Sequence, residues 1–194
     1  MLKNLTIGGR LALGFGVVLT LLVVLAISGY RGLVATGDSV TAIAANNDLA
    51  SKAQELILAL TNMRRQAYPA AMEVGNPRGA QEFINIVKEH RQLFRTRLDE
   101  VEELESQAKV KERVRAWRRA QGEYETAVDG SFAGILNGQF KTPQEVYASY
   151  RTAIGIMAPV EAELVAYVTE KVDLAAQAKK AAEVAGAQTQ QTTL

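Results

Sequence analysis

Apolar residues run without a charge from Leu11 to Tyr30 (LALGFGVVLTLLVVLAISGY), then thin into a pattern that repeats every three or four residues along the rest of the chain. A run of about 20 uncharged residues just spans a bilayer as a helix. Lys3 and Arg10 precede it with no acidic residue beside them, whereas Arg31, Asp38 and Asp48 lie beyond it. The basic excess predicts a cytoplasmic N-terminus over residues 1–10, a transmembrane helix over 11–30, and an external location for the chain beyond Tyr30. A cleavable secretory signal is the competing reading, because a basic start, an apolar stretch and the small pair Ala26 and Ser28 are all present. Against it stand the length of the run, beyond the usual ~7 to 15 residues of a signal core, and a flank that passes unbroken into helical pattern.

The pattern after Tyr30 is helical throughout. Val40, Ile43, Ala50, Ile57, Leu60, Ala67 and Ala71 form one stripe, and Phe83, Val87, Phe94, Leu98, Val101 and Leu104 a second. Val110, Val114, Trp117, Tyr124, Val128 and Ile135 form a third. In the last segment Val146, Tyr150, Ala153, Met157, Val160, Leu164, Tyr167, Leu174 and Ala178 alternate steps of three and four, with Lys171 the one polar interruption, which makes a heptad seam. Strands are not signalled, since alternating apolar and polar runs bounded by turn residues are missing.

Punctuation divides the stripes into helices of about 35–74, 79–107, 109–137 and 143–187. Gly75-Asn76-Pro77 closes the first, while Asn137-Gly138 and Thr142-Pro143 close the third and cap the fourth. No turn residue separates the second from the third, so 79–137 reads either as one long helix or as a hairpin. Charge favours the hairpin near Ser106 to Lys109: Asp99, Glu100, Glu102, Glu103 and Glu105 come before it and Lys109, Lys111, Arg113, Arg115, Arg118 and Arg119 come after, so folding back sets opposite charges face to face. Four helices on short connections predict an all-α, antiparallel up-down-up-down four-helix bundle over 31–188, its first helix continuing from the transmembrane helix, with a polar tail at 189–194.

Composition narrows what such a bundle does. A net charge of +1 gives no bias toward nucleic acid, and without cysteine there is neither a disulfide framework nor thiol chemistry. One histidine, His90, no cysteine and no close Asp/Glu ligand cluster leave a transition metal without its usual first shell. His90 falls in the stripe of Phe83, Val87 and Phe94, which is a packing position. Gly14 and Gly16 lie inside the apolar helix, where a phosphate loop has no meaning. No enzyme, catalytic residue, metal or cofactor is predicted.

The opening MLKNLTIGGRLALGFG, the segment LTNMRRQAYPAAMEVGNP and the segment YRTAIGIMAPVEAELVAYVTEKVDLAAQAKKAAE together resemble the four-helix-bundle sensor domain, with its first transmembrane helix, of bacterial methyl-accepting chemotaxis receptors. The resemblance covers essentially the whole chain. It implies a periplasmic sensor in the inner membrane that forms a homodimer, binds a small molecule near its membrane-distal end and signals by a slight sliding of the fourth helix. It also leads one to expect a second span, a HAMP linker and a cytoplasmic coiled coil with methylatable Glu residues, none of which lies within these 194 residues. The chain therefore reads as the sensor portion of a receptor or as a natural truncation. The same module feeding a histidine kinase or diguanylate cyclase is an alternative output, and a membrane-anchored structural bundle without a small-molecule site is a third reading.

In the resembled family the pocket lies between the first and fourth helices of a dimer. At 1.5 Å per residue, Arg64 stands about 50 Å along the first helix from Arg31, and Tyr150 about 55 Å along the fourth from Ala187. Arg64, Arg65, Tyr68, Tyr147, Tyr150, Arg151 and Thr152 thus share a layer and form the candidate ligand site. Arg64 falls on the apolar stripe between Leu60 and Ala67, where a buried guanidinium needs an anion, and a ligand carboxylate supplies one bidentately. The aspartate-sensing members pair spaced arginines with an aromatic followed by Thr; Tyr150 and Thr152 match the latter loosely. Arg64 and Arg65 are adjacent and point about 100° apart, which leaves amino, organic and aromatic acids all open. Four of the candidates also have a plain structural role: a solvated face or an ion pair with Glu73 or Glu145 for Arg65 and Arg151, and core packing for Tyr147 and Tyr150. Trp117 and Tyr124 read as core. Pro69 and Pro159 should bend their helices near the site, and Ala12, Gly16 and Thr20 offer a small-residue face in the span.

Overall fold

The computed structural model describes the backbone of residues 7–192 and the side chains of 15–187. Lys3, Arg10, Ala12 and the whole polar tail at 189–194 lie outside the described side chains. Among the described residues there are four helices and no strand: α1 (Ile7–Met72), α2 (Pro77–Leu104), α3 (Ala108–Leu136) and α4 (Pro143–Thr192). Helices α1 and α4 run through Pro69 and Pro159 respectively. By internal contacts the chain divides into residues 45–173 and a second unit of 1–44 with 174–194.

In the second unit, the described part of α1 carries an apolar window of mean hydropathy 2.1, with none of that window buried, which is long and apolar enough to cross a membrane. Thr20 returns its hydroxyl to the Gly16 carbonyl at 2.8 Å, so the hydroxyl is answered inside its own helix. Val40 is exposed rather than on a buried stripe.

Residues 45–173 form the bundle, and the pairs that cross between helices give its topology. Lys52 of α1 meets Glu100 of α2, and Glu55 meets Arg97. On the next edge Arg91 meets Asp129, Arg95 meets Glu125, and Arg118 meets both Asp99 and Glu102. Helices α3 and α4 join through Trp117 to Glu163 and Ser131 to Ser149, and α4 returns to α1 through Glu161 to Arg64 and Tyr147 to Tyr68. Along each edge the numbers rise on one helix as they fall on the other, so all four edges are antiparallel and the ring closes. Inside it the heptad positions interlock: Leu56, Leu60 and Met63, Val87, Phe94 and Leu98, Val114, Trp117 and Tyr124, and Met157, Leu164 and Tyr167 are all fully buried.

Local chemistry sets the ends. Asn76 accepts the Gly79 amide at 3.2 Å with Pro77 in the first turn, and Gly75 supplies the positive φ of +89° that turns the chain after α1. Gly138, at φ +65°, ends α3 in the same way. Thr142 accepts the Glu145 amide at 3.4 Å while the Glu145 carboxylate accepts the Lys141 amide at 2.7 Å, a variant of the capping box.

The turn between α2 and α3 uses a buried carboxylate in place of Gly or Pro. Glu105 accepts the Gln107 amide at 3.0 Å, the Tyr167 hydroxyl at 3.1 Å and the Lys171 ammonium at 2.6 Å. Both Glu105 and Lys171 are only 2% exposed, and Lys171 lies 5.1 Å from the Tyr167 ring centre. Burial works to raise the Glu105 carboxyl, but Lys171, the Gln107 amide and Tyr167 outweigh it and hold the group below the ordinary carboxylate range. The expected hairpin charges pair only in part. Asp99 and Glu102 do face Arg115 and Arg118, whereas Glu100 pairs with Lys52 and Arg97, and Arg113 reaches Glu163 and Glu170 on α4. Leu104, assigned to the second stripe, is exposed because Glu105 takes the inward position.

Removing Glu105 strands a buried ammonium. Glu105→Leu is expected to lower unfolding stability by about 3–5 kcal/mol, and Glu105→Leu with Lys171→Met to recover most of it. Because its folded-state pKa is depressed, the Glu105 contribution is present above the unfolded carboxylate value of about 4 and is lost as pH falls through the lower folded value. Thermal melts of the three proteins between neutral and acid pH check both points; a single variant as stable as the wild type at neutral pH contradicts them.

Candidate functional site

A cleft opens between α1 and α4 and reaches α3 at its floor. Arg64, Ala67 and Tyr68 line it from α1, Tyr124 and Val128 from α3, and Tyr147, Tyr150, Ala153 and Ile154 from α4. Spacings of three and four residues put each set on one helical face. It is nearly closed, with a cavity volume of about 30 Å³, room for one or two waters. At the mouth the Tyr68 and Tyr147 rings meet edge to face, 5.2 Å between centres, and Tyr68 is 50% exposed. Deeper in, Tyr150 packs edge to face on Phe132 at 5.9 Å.

The polar groups of this apolar cleft are incompletely answered. Arg64 Nη1 donates to Glu161 Oε2 at 2.5 Å, but Arg64 Nε and Nη2 are buried without a partner, and so is the Tyr150 hydroxyl. An unanswered buried donor costs about 1–3 kcal/mol, and more when the group is charged. Burial, and then the neighbouring Tyr124, push the Tyr150 phenol well above its ordinary range, against the lowering field of Arg91. The Tyr124 phenol is also raised by burial, against Arg91 and Arg64. Both phenols are therefore protonated donors at neutral pH.

Arg91 repeats the arrangement behind the aromatic layer. Its side chain is 7% exposed, Nη1 meets Asp129 Oδ1 at 2.5 Å, and Nε and Nη2 have no partner. The guanidinium lies 5.5 Å from the centre of the Phe132 ring. In both arginines the engaged carboxylate lies toward solvent, with Glu161 34% and Asp129 58% exposed, while the free edge is buried.

Of the residues proposed from the sequence, Arg64, Tyr68, Tyr147 and Tyr150 come together in the cleft. Arg65, Arg151 and Thr152 are exposed and do not line it. Tyr124, read as core, is fully buried and is also the cleft floor. Sequence pattern does not single out Glu161 or Arg91. Arg91 nevertheless carries the same signal as Arg64 and Lys171, a cation at heptad spacing between apolar residues, here Val87 and Phe94. His90 is half-buried beside it. No group of His, Asp or Glu able to hold a metal occurs among the described residues.

Over residues 4–185 the chain matches the family of four-helix-bundle sensory modules for signal transduction, and it belongs to that family. No curated protein and no solved structure gives a significant match.

With their free guanidinium edges unsatisfied within the bundle, removing either cation has little structural cost, because the carboxylate left behind is partly hydrated. Arg64→Met and Arg91→Met are each expected to change unfolding stability by no more than about 1 kcal/mol, or to raise it. Chemical denaturation measures this, and a loss above about 3 kcal/mol would assign the arginines a structural role instead.

Proposed function

We propose that this member of the four-helix-bundle sensory family is the sensing portion of a transmembrane chemotaxis receptor. In this reading Leu11–Tyr30 crosses the bacterial inner membrane, residues 1–10 are cytoplasmic, and the bundle stands in the periplasm as a homodimer. The ligand is a small molecule with a carboxylate, held by Arg64 together with Tyr68, Tyr147 and Tyr150, while Arg65, Arg151 and Thr152 stay outside the contact.

The observation that carries the reading is the buried, unpartnered Nε and Nη2 edge of Arg64 in a cleft walled by α1 and α4. Nε–H and Nη2–H project in parallel, which fits the two oxygens of one carboxylate. A ligand seated there touches Arg64 and Tyr68 on α1 and Tyr147 and Tyr150 on α4 at once. It therefore favours whichever arrangement of the two helices gives better contacts, and a ligand shifts a conformational equilibrium only through such a difference in affinity. Membership of the sensory family and the exposed apolar window of α1 support the membrane receptor.

Joining residues 1–187 to the second span and cytoplasmic half of a chemotaxis receptor tests the proposal. Kinase output in cells is expected to change on adding at least one organic acid and to lose that response in Arg64→Ala. With no native cysteine, Ser39→Cys is expected to react with a membrane-impermeant maleimide in cells whose outer membrane alone is opened. An output unchanged by every acid, or labelling only after the inner membrane is lysed, would overturn the receptor or its orientation.

A further inference from the structure

The composition of the cleft narrows its ligand. We infer that it takes a monocarboxylate with a flat aromatic body, the carboxylate on Arg64 Nε and Nη2 and the ring against Tyr68, Tyr147 and Tyr150. The inference rests on the sensory reading and deepens it by naming the ligand class.

One carboxylate, and no more, is answered by the cleft. Arg64 is its one cation, and Nη1 is already held by Glu161, so a single two-donor edge remains. The Tyr150 hydroxyl adds one further buried donor without a partner, suited to the same carboxylate or to an adjacent ring hydroxyl. A second carboxylate would be desolvated against Ala67, Val128, Ala153 and Ile154, which offer it only apolar side chains. An ammonium group, as in an amino acid, would likewise find no anion, because Glu161 is taken up by Arg64 and is not part of the lining.

The rest of the lining favours a ring over a chain. Four of the nine lining residues are tyrosines, and aromatic pairs stack edge to face or offset at centre separations of about 4.5–7 Å, adding to the area they bury. Tyr68 and Tyr147 already meet in that geometry at the mouth, and because the closed cavity is only about 30 Å³, a ligand ring joins the set by parting this pair. Both belong to the exposed large hydrophobics of the bundle, so they swing without breaking the core, and exposed rotamers exchange within nanoseconds. The pair is therefore a door as well as a wall.

Benzoate, benzamide and acetate separate these contributions, titrated calorimetrically against the full 194-residue chain in lipid nanodiscs. Benzoate is expected to bind, with benzamide weaker by roughly tenfold or more, since a charged hydrogen bond contributes about 1.5–3 kcal/mol and each 1.4 kcal/mol is tenfold, and acetate weaker by a similar factor, since it lacks the ring whose burial contributes about 25 cal/mol per Å². Arg64→Gln should lose benzoate by a similar factor while Arg65→Gln keeps it. Should Arg64→Gln misfold by circular dichroism, Tyr68→Ala, at an exposed position, is expected to weaken benzoate severalfold and to leave the weak acetate binding unchanged. Absence of benzoate binding, equal binding of benzamide, or full benzoate affinity in a folded Arg64→Gln overturns the inference. The two readings fail differently. If the hybrid receptor responds through Arg64 to a non-aromatic acid while benzoate does not bind, the ligand class is wrong and the sensor stands. If benzoate binds at Arg64 and kinase output never changes, the site stands and the sensor reading falls.

Discussion

Holding a cation on an apolar helical seam costs several kcal/mol unless its donors are answered, and three seams of this bundle carry one. Lys171 on α4 is answered: Glu105 accepts its hydrogen bond and the Tyr167 ring lies beside it. Arg64 on α1 and Arg91 on α2 are answered only at Nη1, by carboxylates near the surface, and present an unpaired edge to the interior. The contrast divides the bundle into a satisfied end and an unsatisfied one. The satisfied cation closes the turn between α2 and α3 against α4, and the partly satisfied ones surround the aromatic layer of Tyr124, Phe132 and Tyr150. Leucine or methionine at Arg64 or Arg91 would cost the fold little, whereas Lys171 is replaceable only together with Glu105.

The heptad seams that build the core also build the cleft. Tyr150 and Ala153 are core residues of α4 and cleft walls, and Tyr124 serves both roles from α3. The shape of the cleft cannot be separated from the packing of the helices that line it. In the proposed sensing role, a small displacement at the cleft acts on α1 and α4 as close-packed elements, which switch between arrangements more readily than they deform.

Much of the architecture was legible in residue spacing. The α4 seam from Val146 to Tyr167 is buried at each predicted position, and the Gly75 and Gly138 turns stand where their residues require a positive φ. The turn at Glu105 was reachable only through charge, because a side chain replaces the backbone signals of Gly and Pro, and the partner that makes this work, Lys171, lies 66 residues further on. Arg91 escaped for a geometric reason. His90 and Arg91 are both three or four residues from Val87 and from Phe94, so periodicity alone cannot tell which faces inward. The real stripe runs through Ile84 and Arg91, one residue around from Phe83 and His90. At the site, Arg64 and Tyr150 were legible as polar-tipped groups on apolar stripes, whereas Arg65, Arg151 and Thr152 turn away because neighbours on a helix diverge by about 100°.

The proposed sensor stands or falls on whether the unpaired edge of Arg64 is a carboxylate site within a single bundle. Crystals of the full chain grown in lipidic mesophase with 4-bromobenzoate test it directly through the anomalous signal of bromine. The prediction is one bromine per bundle at the mouth beside Tyr68 and Tyr147, with the carboxylate on Arg64 Nε and Nη2. Bromine found only elsewhere, or an Arg64 edge occupied by a side chain of the protein itself, would contradict it.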